Sequence, residues 1–412
     1  MQQRLRESSS TESAVKASRT DTISMSDTPL SSFQRQIETF FGGGRCFLLA
    51  KGRVGLYAGL RALGLPAGSK VLMPGYTCVV VPSAVQFAGF RPMYIDIDPS
   101  TYNINPALLE RPEYADCRAL VIQHTYGIPC DVPRIRSWAE SRGIVVMEDC
   151  CHAFGSRIEE KLCGTFGKFA FMSGQWNKPF STGLGGMLLV NDEDLADKVD
   201  AILKKESRRP SFTENVFLRM QLAAFDLLVG PRSVSAITVL YRLLSRWGLM
   251  IGSSTREEYL GTMPPSYLVT MAPSQARRGM KEMARIGLNI EHRTAITKFY
   301  QERLPATNFA AVADTKAQGM PLLRYPVRVG NKRELLDRAL RHGVEIGSWF
   351  ECPLHAADMP LEKLDYHTGQ CPEAEAASRE VVNLPTHRRI DQRGAERILQ
   401  FLKRYGKLAS KP

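Results

Sequence analysis

From about residue 33 to residue 192, short apolar runs alternate with stretches of helical apolar spacing. The alternation predicts strands at 70–73, 91–97, 119–123, 143–148 and 187–190, with helices at 53–63 and 132–142 between them. Gly64 and Gly143 stand just past those two helices, where a left-handed residue ends a helix at no steric cost. Strands that are apolar throughout, flanked by helices, imply a mostly parallel sheet covered on both faces, an α/β fold. A long helix over 274–300 leads into a smaller α/β unit with strands at 322–329 and 344–348, a helix at 332–342 and a last helix at 392–405. The expected division is a large domain over 33–290 and a small C-terminal domain over 291–412.

Two segments depart from this rhythm. Residues 1–32 are rich in Ser and Thr, poor in apolar residues and without an apolar signal-peptide core, the composition of a disordered leader. Residues 200–262 hold two apolar helical stretches, 216–229 and 234–250, interspersed with Arg219, Arg232, Arg242 and Arg246. Neither reaches the roughly 20 uninterrupted apolar residues of a membrane span. The segment reads as a helical insertion packed on the body, with weak peripheral membrane contact as the alternative.

Nine scattered cysteines without CxxC spacing point to reduced thiols and a cytoplasmic protein, with no disulfide framework and no structural metal. The net charge of +12 is unaccompanied by a recognition module for nucleic acid, so it fits phosphorylated substrates or an anionic surface better.

Four local patterns carry chemistry. In GIVVMEDCCHAFG, Asp149 falls at the carboxyl end of a buried strand, where ligands of open α/β sheets bind. A carboxylate there can keep a pyridine nitrogen protonated, although a turn or capping aspartate would look the same. In SGQWNKPFSTGLGG, Lys178 lies among apolar and small residues that favour its neutral, nucleophilic amine, and Ser173 precedes it by five positions. Lys51-Gly52-Arg53 opens a helix whose free N–H groups suit a phosphate. PGYTC places Tyr76 and Cys78 just after a strand, where a ring could be covered or where Tyr76 simply packs.

Taken in order, these stretches resemble the DegT/DnrJ/EryC1/StrS family of sugar aminotransferases, which have the type I pyridoxal-phosphate fold. The likeness covers about 33–192 and 264–404 and includes GLRALGLPAGSKVLMPGYT, HTYGIPCD, EDCCHAFGS and CPEAEAASREVVNLPTH. It implies that Lys178 carries pyridoxal 5'-phosphate as a Schiff base and that Asp149 pairs with the pyridine nitrogen. It further implies that His152 lies on the phenolic-oxygen side, that Ser173 and the backbone of Gly52 and Arg53 hold the phosphate, and that Tyr76 and Cys78 line the ring. Cys78 stands where the family usually has an aromatic residue, so stacking passes to Tyr76 or is lost. The resemblance also implies a homodimer that moves an amino group, from glutamate, to a nucleotide-linked ketosugar for polysaccharide, lipopolysaccharide or glycosylated-metabolite synthesis. A non-sugar keto substrate, or a regulatory protein of the same fold without turnover, stays open beside it.

Overall fold

The computed structural model describes residues 28–176, 178–228, 237, 244, 250–252, 254–305, 309, 319–356 and 359–409. Helix α1 (Pro29–Phe41) starts inside the expected leader: Thr28 caps it by accepting the Ser31 N–H, and Phe33, Ile37 and Phe41 bury one face at helical spacing. The chain continues through β1 (Arg45–Leu49), α2 (Gly52–Ala62), β2 (Lys70–Pro74), β3 (Thr77–Cys78), α3 (Val80–Phe87), β4 (Arg91–Ile95), β5 (Cys117–Gln123), α4 (Val132–Glu140) and β6 (Val145–Asp149). A small hairpin, β7 (Arg157–Ile158) and β8 (Lys161–Leu162), precedes β9 (Phe169–Ser173) and β10 (Gly186–Val190).

Seven of these strands form one sheet in the order β1-β10-β9-β6-β5-β2-β4. The run from β9 to β4 is parallel, while β10 runs antiparallel to both its neighbours. Strands β1 and β9 were not among those expected. Their apolar residues are buried apart from the half-buried Phe47, but Arg45 and the short Gly-Lys lead-in to β9 broke the pattern.

Beyond the sheet, α5 (Glu193–Glu206) is capped by Asp192, with Glu193 and Asp194 in its first turn and Lys204 and Lys205 in its last, all matched to the helix dipole. Helix α6 (Phe212–Leu228) is the first stretch of the expected insertion; most of the second lies outside the described residues. Its inner side holds Leu218 against Leu184 and Ala272, stacks Phe225 on Trp176 at 4.5 Å and pairs Asp226 with Arg278. Phe212, Met220 and Leu227 remain exposed on its other side. A single turn α7 (Arg256–Tyr259) follows.

The helix expected over 274–300 is two helices, α8 (Pro273–Met283) and α9 (Ile286–Arg303), parted where Arg285 leaves helical geometry at φ −119° and ψ 10°. Residue 290, the expected domain boundary, lies inside α9. The C-terminal part contains β11 (Arg324–Arg328), α10 (Lys332–Arg341), β12 (Leu354–His355), α11 (Pro372–Glu380), β13 (Val381–Pro385) and α12 (Gln392–Tyr405). Strand β11 pairs antiparallel with β13. The expected strand at 344–348 does not form: only Gly347 bridges to Asn383, so alternating apolar residues there line a loop. One apolar cluster runs from Val54 and Val71 beside the large sheet to Leu335, Val382 and Leu399 beside the small one. No described helix is long and apolar enough to cross a membrane.

One backbone contact positions everything that follows. A Cβ on Gly186 would lie 2.1 Å from the Lys51 carbonyl carbon and 2.3 Å from the Gly52 nitrogen, and one on Gly52 would lie 2.8 Å from the Met172 oxygen. Backbone therefore meets backbone where α2 begins, with no flexible side chain able to yield. Gly186→Ala is expected to cost about 1–3 kcal/mol by overpacking. Gly287→Ala, in α9 with no atom within 4 Å of the added carbon, should instead stabilise by about 0.4–1 kcal/mol. Urea unfolding of both variants checks the pair, and equal midpoints would remove the close approach.

Candidate active site

Strand order brings the first two groups together. Asp149 is the last residue of β6 and pairs in register with Phe171 of β9, so Ser173 ends the adjacent parallel strand two residues further on. Both stand at the carboxyl edge of the sheet, the usual ligand side of an open α/β fold. Asp149 is 5% exposed, and its Oδ1 accepts the Cys151 N–H at 2.9 Å. Burial pushes its carboxyl above the ordinary value, while the Cys151 N–H and the Lys178 charge pull against that rise. The start of α2 faces Ser173: a Cβ on Gly52 would be 3.3 Å from the Ser173 Cα. Lys51, at the N-cap, makes no side-chain capping bond, and a helix start of this kind is a favourable place for an anion.

Lys178 lies on the loop between β9 and β10. That loop is held by the Thr182 N–H to the Gly174 carbonyl at 2.8 Å and by Asn289 Nδ2 of α9 donating to the Pro179 carbonyl at 2.6 Å. The half-buried Lys178 projects its Nζ to 4.6 Å from the centroid of the Trp349 ring, a cation–π distance. The imidazole of His152 stacks on the same indole at 5.3 Å and 13°. Its Nδ1 accepts the Tyr126 N–H at 3.2 Å, so the ring proton belongs on Nε2. Burial, helped by the Lys178 and Arg324 charges, holds His152 well below its ordinary pKa, and it is neutral at pH 7. A neutral N–H donor, an amine and a buried carboxylate thus share one hollow.

The other expected residues take different places. Tyr76 is fully buried, its ring 4.8 Å from that of Phe350 and its hydroxyl 2.8 Å, oxygen to oxygen, from the Tyr126 hydroxyl, and the Phe350 N–H donates to the Tyr76 hydroxyl oxygen. It packs beneath the 349–350 segment. Cys78, half-buried, pairs with His355 through the parallel contact of β3 with β12. The Arg53 side chain turns from the helix start to Glu258 at 2.6 Å and Ser254 at 3.0 Å, while Lys51 reaches the same carboxylate at 3.4 Å. Burial pushes the Glu258 carboxyl up, but Arg53 and Lys51 outweigh it and hold it below its ordinary value. The end of the 200–262 insertion is therefore fastened beside the proposed phosphate-binding helix start, a contact that nothing local in the sequence announces.

A buried group behind Asp149 also went unread, although HTYG and EDCC contain it. His124, Glu148 and Cys150 lie with ligand atoms within 4.8 Å of one another. Glu148 accepts N–H groups from Gly164, Phe166 and Gly167 at 2.7–2.8 Å and the His124 Nε2–H at 3.0 Å, and the Cys130 N–H donates to His124 Nδ1. Both Glu148 oxygens and both His124 ring nitrogens are thus engaged, and these bonds brace the loop after β6. The His124 N–H, at 3.3 Å from the Asp149 carbonyl, ties that brace to the site.

The fold is that of a mostly parallel α/β protein whose expected site residues stand at the carboxyl edge of the sheet. The sequence profile of the DegT/DnrJ/EryC1/StrS aminotransferase family matches residues 6–229 and 235–403, and the chain belongs to that family. Over 150 residues it is 36% identical to the GDP-perosamine synthase of Escherichia coli O157:H7, covering 36% of this chain and 41% of that one. It is 32% identical over 203 residues to the L-glutamine:2-deoxy-scyllo-inosose aminotransferase of Micromonospora echinospora, covering 48% of each. These matches span less than half the length of either relative. A crystal structure of a family aminotransferase from Brucella abortus superposes with TM-score 0.69 over 91% of this chain and 89% of that chain, at 19% identity.

Proposed function

We propose that the chain is a pyridoxal-phosphate aminotransferase that transfers an amino group from an amino-acid donor to the keto group of a nucleotide-linked sugar. The observation that carries this is the meeting of Asp149, Lys178 and neutral His152 at the strand ends, beside an uncapped helix start. That donor set fits the cofactor: the backbone at the start of α2, from Gly52 to Arg53, with the Ser173 hydroxyl suits a phosphate, Asp149 a pyridinium, His152 Nε2–H a phenolate, and Lys178 an aldehyde carbon. The backbone cradle of Gly52 and Gly186 lets a phosphate approach the helix without meeting a side chain. When bound, the cofactor supplies an electron sink that weakens the bond to a hydrogen on the carbon next to nitrogen.

The remaining steps belong to the protein. Asp149 stays ionised against the cost of burial by facing a positive nitrogen. Lys178 would be the group that takes a proton from the donor carbon and gives it back, acting in turn as base and acid. Trp349 and Phe350, pinned by the Tyr76 and Tyr126 hydroxyls, keep water from that proton. In this reading the enzyme works as a C2 homodimer, the sugar nucleotide draws on the net positive charge, and the domains divide near α9. Glutamate and glutamine are the donors to try first, given the glutamine-dependent relative. Incubation of cofactor-loaded protein with each donor and a panel of nucleotide ketosugars should yield a product of aminosugar mass. Amination of a non-nucleotide keto acid alone would replace the substrate class. Failure of every acceptor, together with no consumption of donor, would leave the regulatory reading.

A further inference from the structure

Beyond Trp349 lies a set of polar groups that the steps above do not use. The Arg324 guanidinium carbon stands 4.9 Å from the centroid of the Trp349 ring, so Arg324 and Lys178 share one indole. Among the described residues the guanidinium makes no hydrogen bond, and its Nε is buried without a partner. Across the small sheet, Asn383 of β13 is 0% exposed, and among the described residues neither its Oδ1 nor its Nδ2 has a hydrogen-bond partner. The two side chains converge over one backbone position: a Cβ on Gly347 would lie 2.5 Å from Arg324 Nη1 and 3.4 Å from Asn383 Oδ1.

Charge here is unbalanced. Arg293 is pushed down to about 9 by burial and by the charges of Arg324 and Arg389, and it spends its donors on the Leu323 carbonyl and the Thr386 hydroxyl. Glu345, the nearby acid, accepts from His387 at 2.8 Å and also faces the charges of Arg324 and Arg389, one carboxylate among three guanidinium groups. A buried donor left unmade is costly unless a ligand completes it.

We propose that Arg324, with the Asn383 amide beside it, binds a carboxylate of the amino-acid donor and so points the donor's amino group at the Lys178 end of the hollow. This rests on the aminotransferase reading. A guanidinium matches a carboxylate with two parallel N–H···O bonds, and an amide N–H can add a third to the same oxygen pair.

The test compares wild type with Arg324→Gln and Arg324→Lys, each loaded with cofactor and checked for an unchanged visible band and thermal midpoint. The donor KM should rise on the order of 10- to 100-fold in Arg324→Gln, with the ketosugar KM unchanged and partial recovery in Arg324→Lys. Maleate, a dicarboxylate that cannot react, should bind wild type in calorimetry and lose that binding in Arg324→Gln. An unchanged donor KM, or a rise confined to the ketosugar KM, would overturn the assignment, the second result giving Arg324 to the sugar's phosphates. If wild type shows no visible band, the aminotransferase reading fails instead, and the maleate measurement still decides whether Arg324 holds carboxylates. Should Arg324→Gln not fold, Asn383→Ala replaces it, with a smaller donor-specific rise expected and no rise overturning the proposal.

Discussion

Lys178→Ala is expected to abolish covalent attachment of the cofactor and, with it, transamination. The substitution removes both the nucleophile for the aldehyde carbon and the base that moves the proton, two roles that no other described side chain in the hollow fills. His152 is neutral but already accepts the Tyr126 N–H on Nδ1, so its remaining nitrogen is a donor and cannot take the proton. General-base loss alone is worth about 10²–10⁴-fold. Borohydride reduction followed by peptide mass spectrometry provides the measurement. Wild type should carry the cofactor's mass on the peptide that includes Lys178, and the variant should carry none. An adduct on Lys51 or Lys168 would relocate the site, and an adduct surviving in the variant would do the same.

Asp149→Asn should leave the cofactor bound and slow the reaction by about 1,000-fold, equivalent to about 4 kcal/mol of transition-state stabilisation. The amide keeps the size of the carboxylate and can still accept the Cys151 N–H. It cannot, however, supply the negative charge that keeps a pyridinium protonated in a buried place, so the electron sink weakens while the phosphate contacts at Gly52 and Ser173 persist. A lowered kcat with near-normal cofactor occupancy is the expected signature. Near-normal turnover would remove Asp149 from the chemistry, and loss of cofactor would make its role one of binding alone.

How far each residue could be read from the chain depended on whether its signal was local. The strand before Asp149 is a continuous apolar run ending in a carboxylate, and the structure ends β6 on that residue. Ser173 and Gly186 come from one short segment and pair directly across β9 and β10. Tyr76 gave a misleading local signal: its place after a strand suits a ligand-facing ring, yet Phe350, some 270 positions later, covers it and turns its hydroxyl to Tyr126. Trp349, Arg324 and Glu258 gave no signal, because a tryptophan, an arginine and a glutamate in ordinary loops and strands look alike until long-range pairing sets them in place.

What the chain decided by itself was the set of periods and breaks: buried apolar strands, amphipathic helices with their caps, and glycines at the two backbone approaches. These follow from burial and steric limits acting over a few residues, which is why α4, α10 and α12 begin where their patterns begin. What tertiary structure alone decided was the company each charged group keeps. The antiparallel turn of β10 carries Gly186 to the start of α2, β12 beside β3 brings Trp349 over Lys178, and β11 beside β13 sets Arg324 against Asn383. An isolated segment holds no information on these meetings, since the energy of a buried charge depends on partners that distant strands supply.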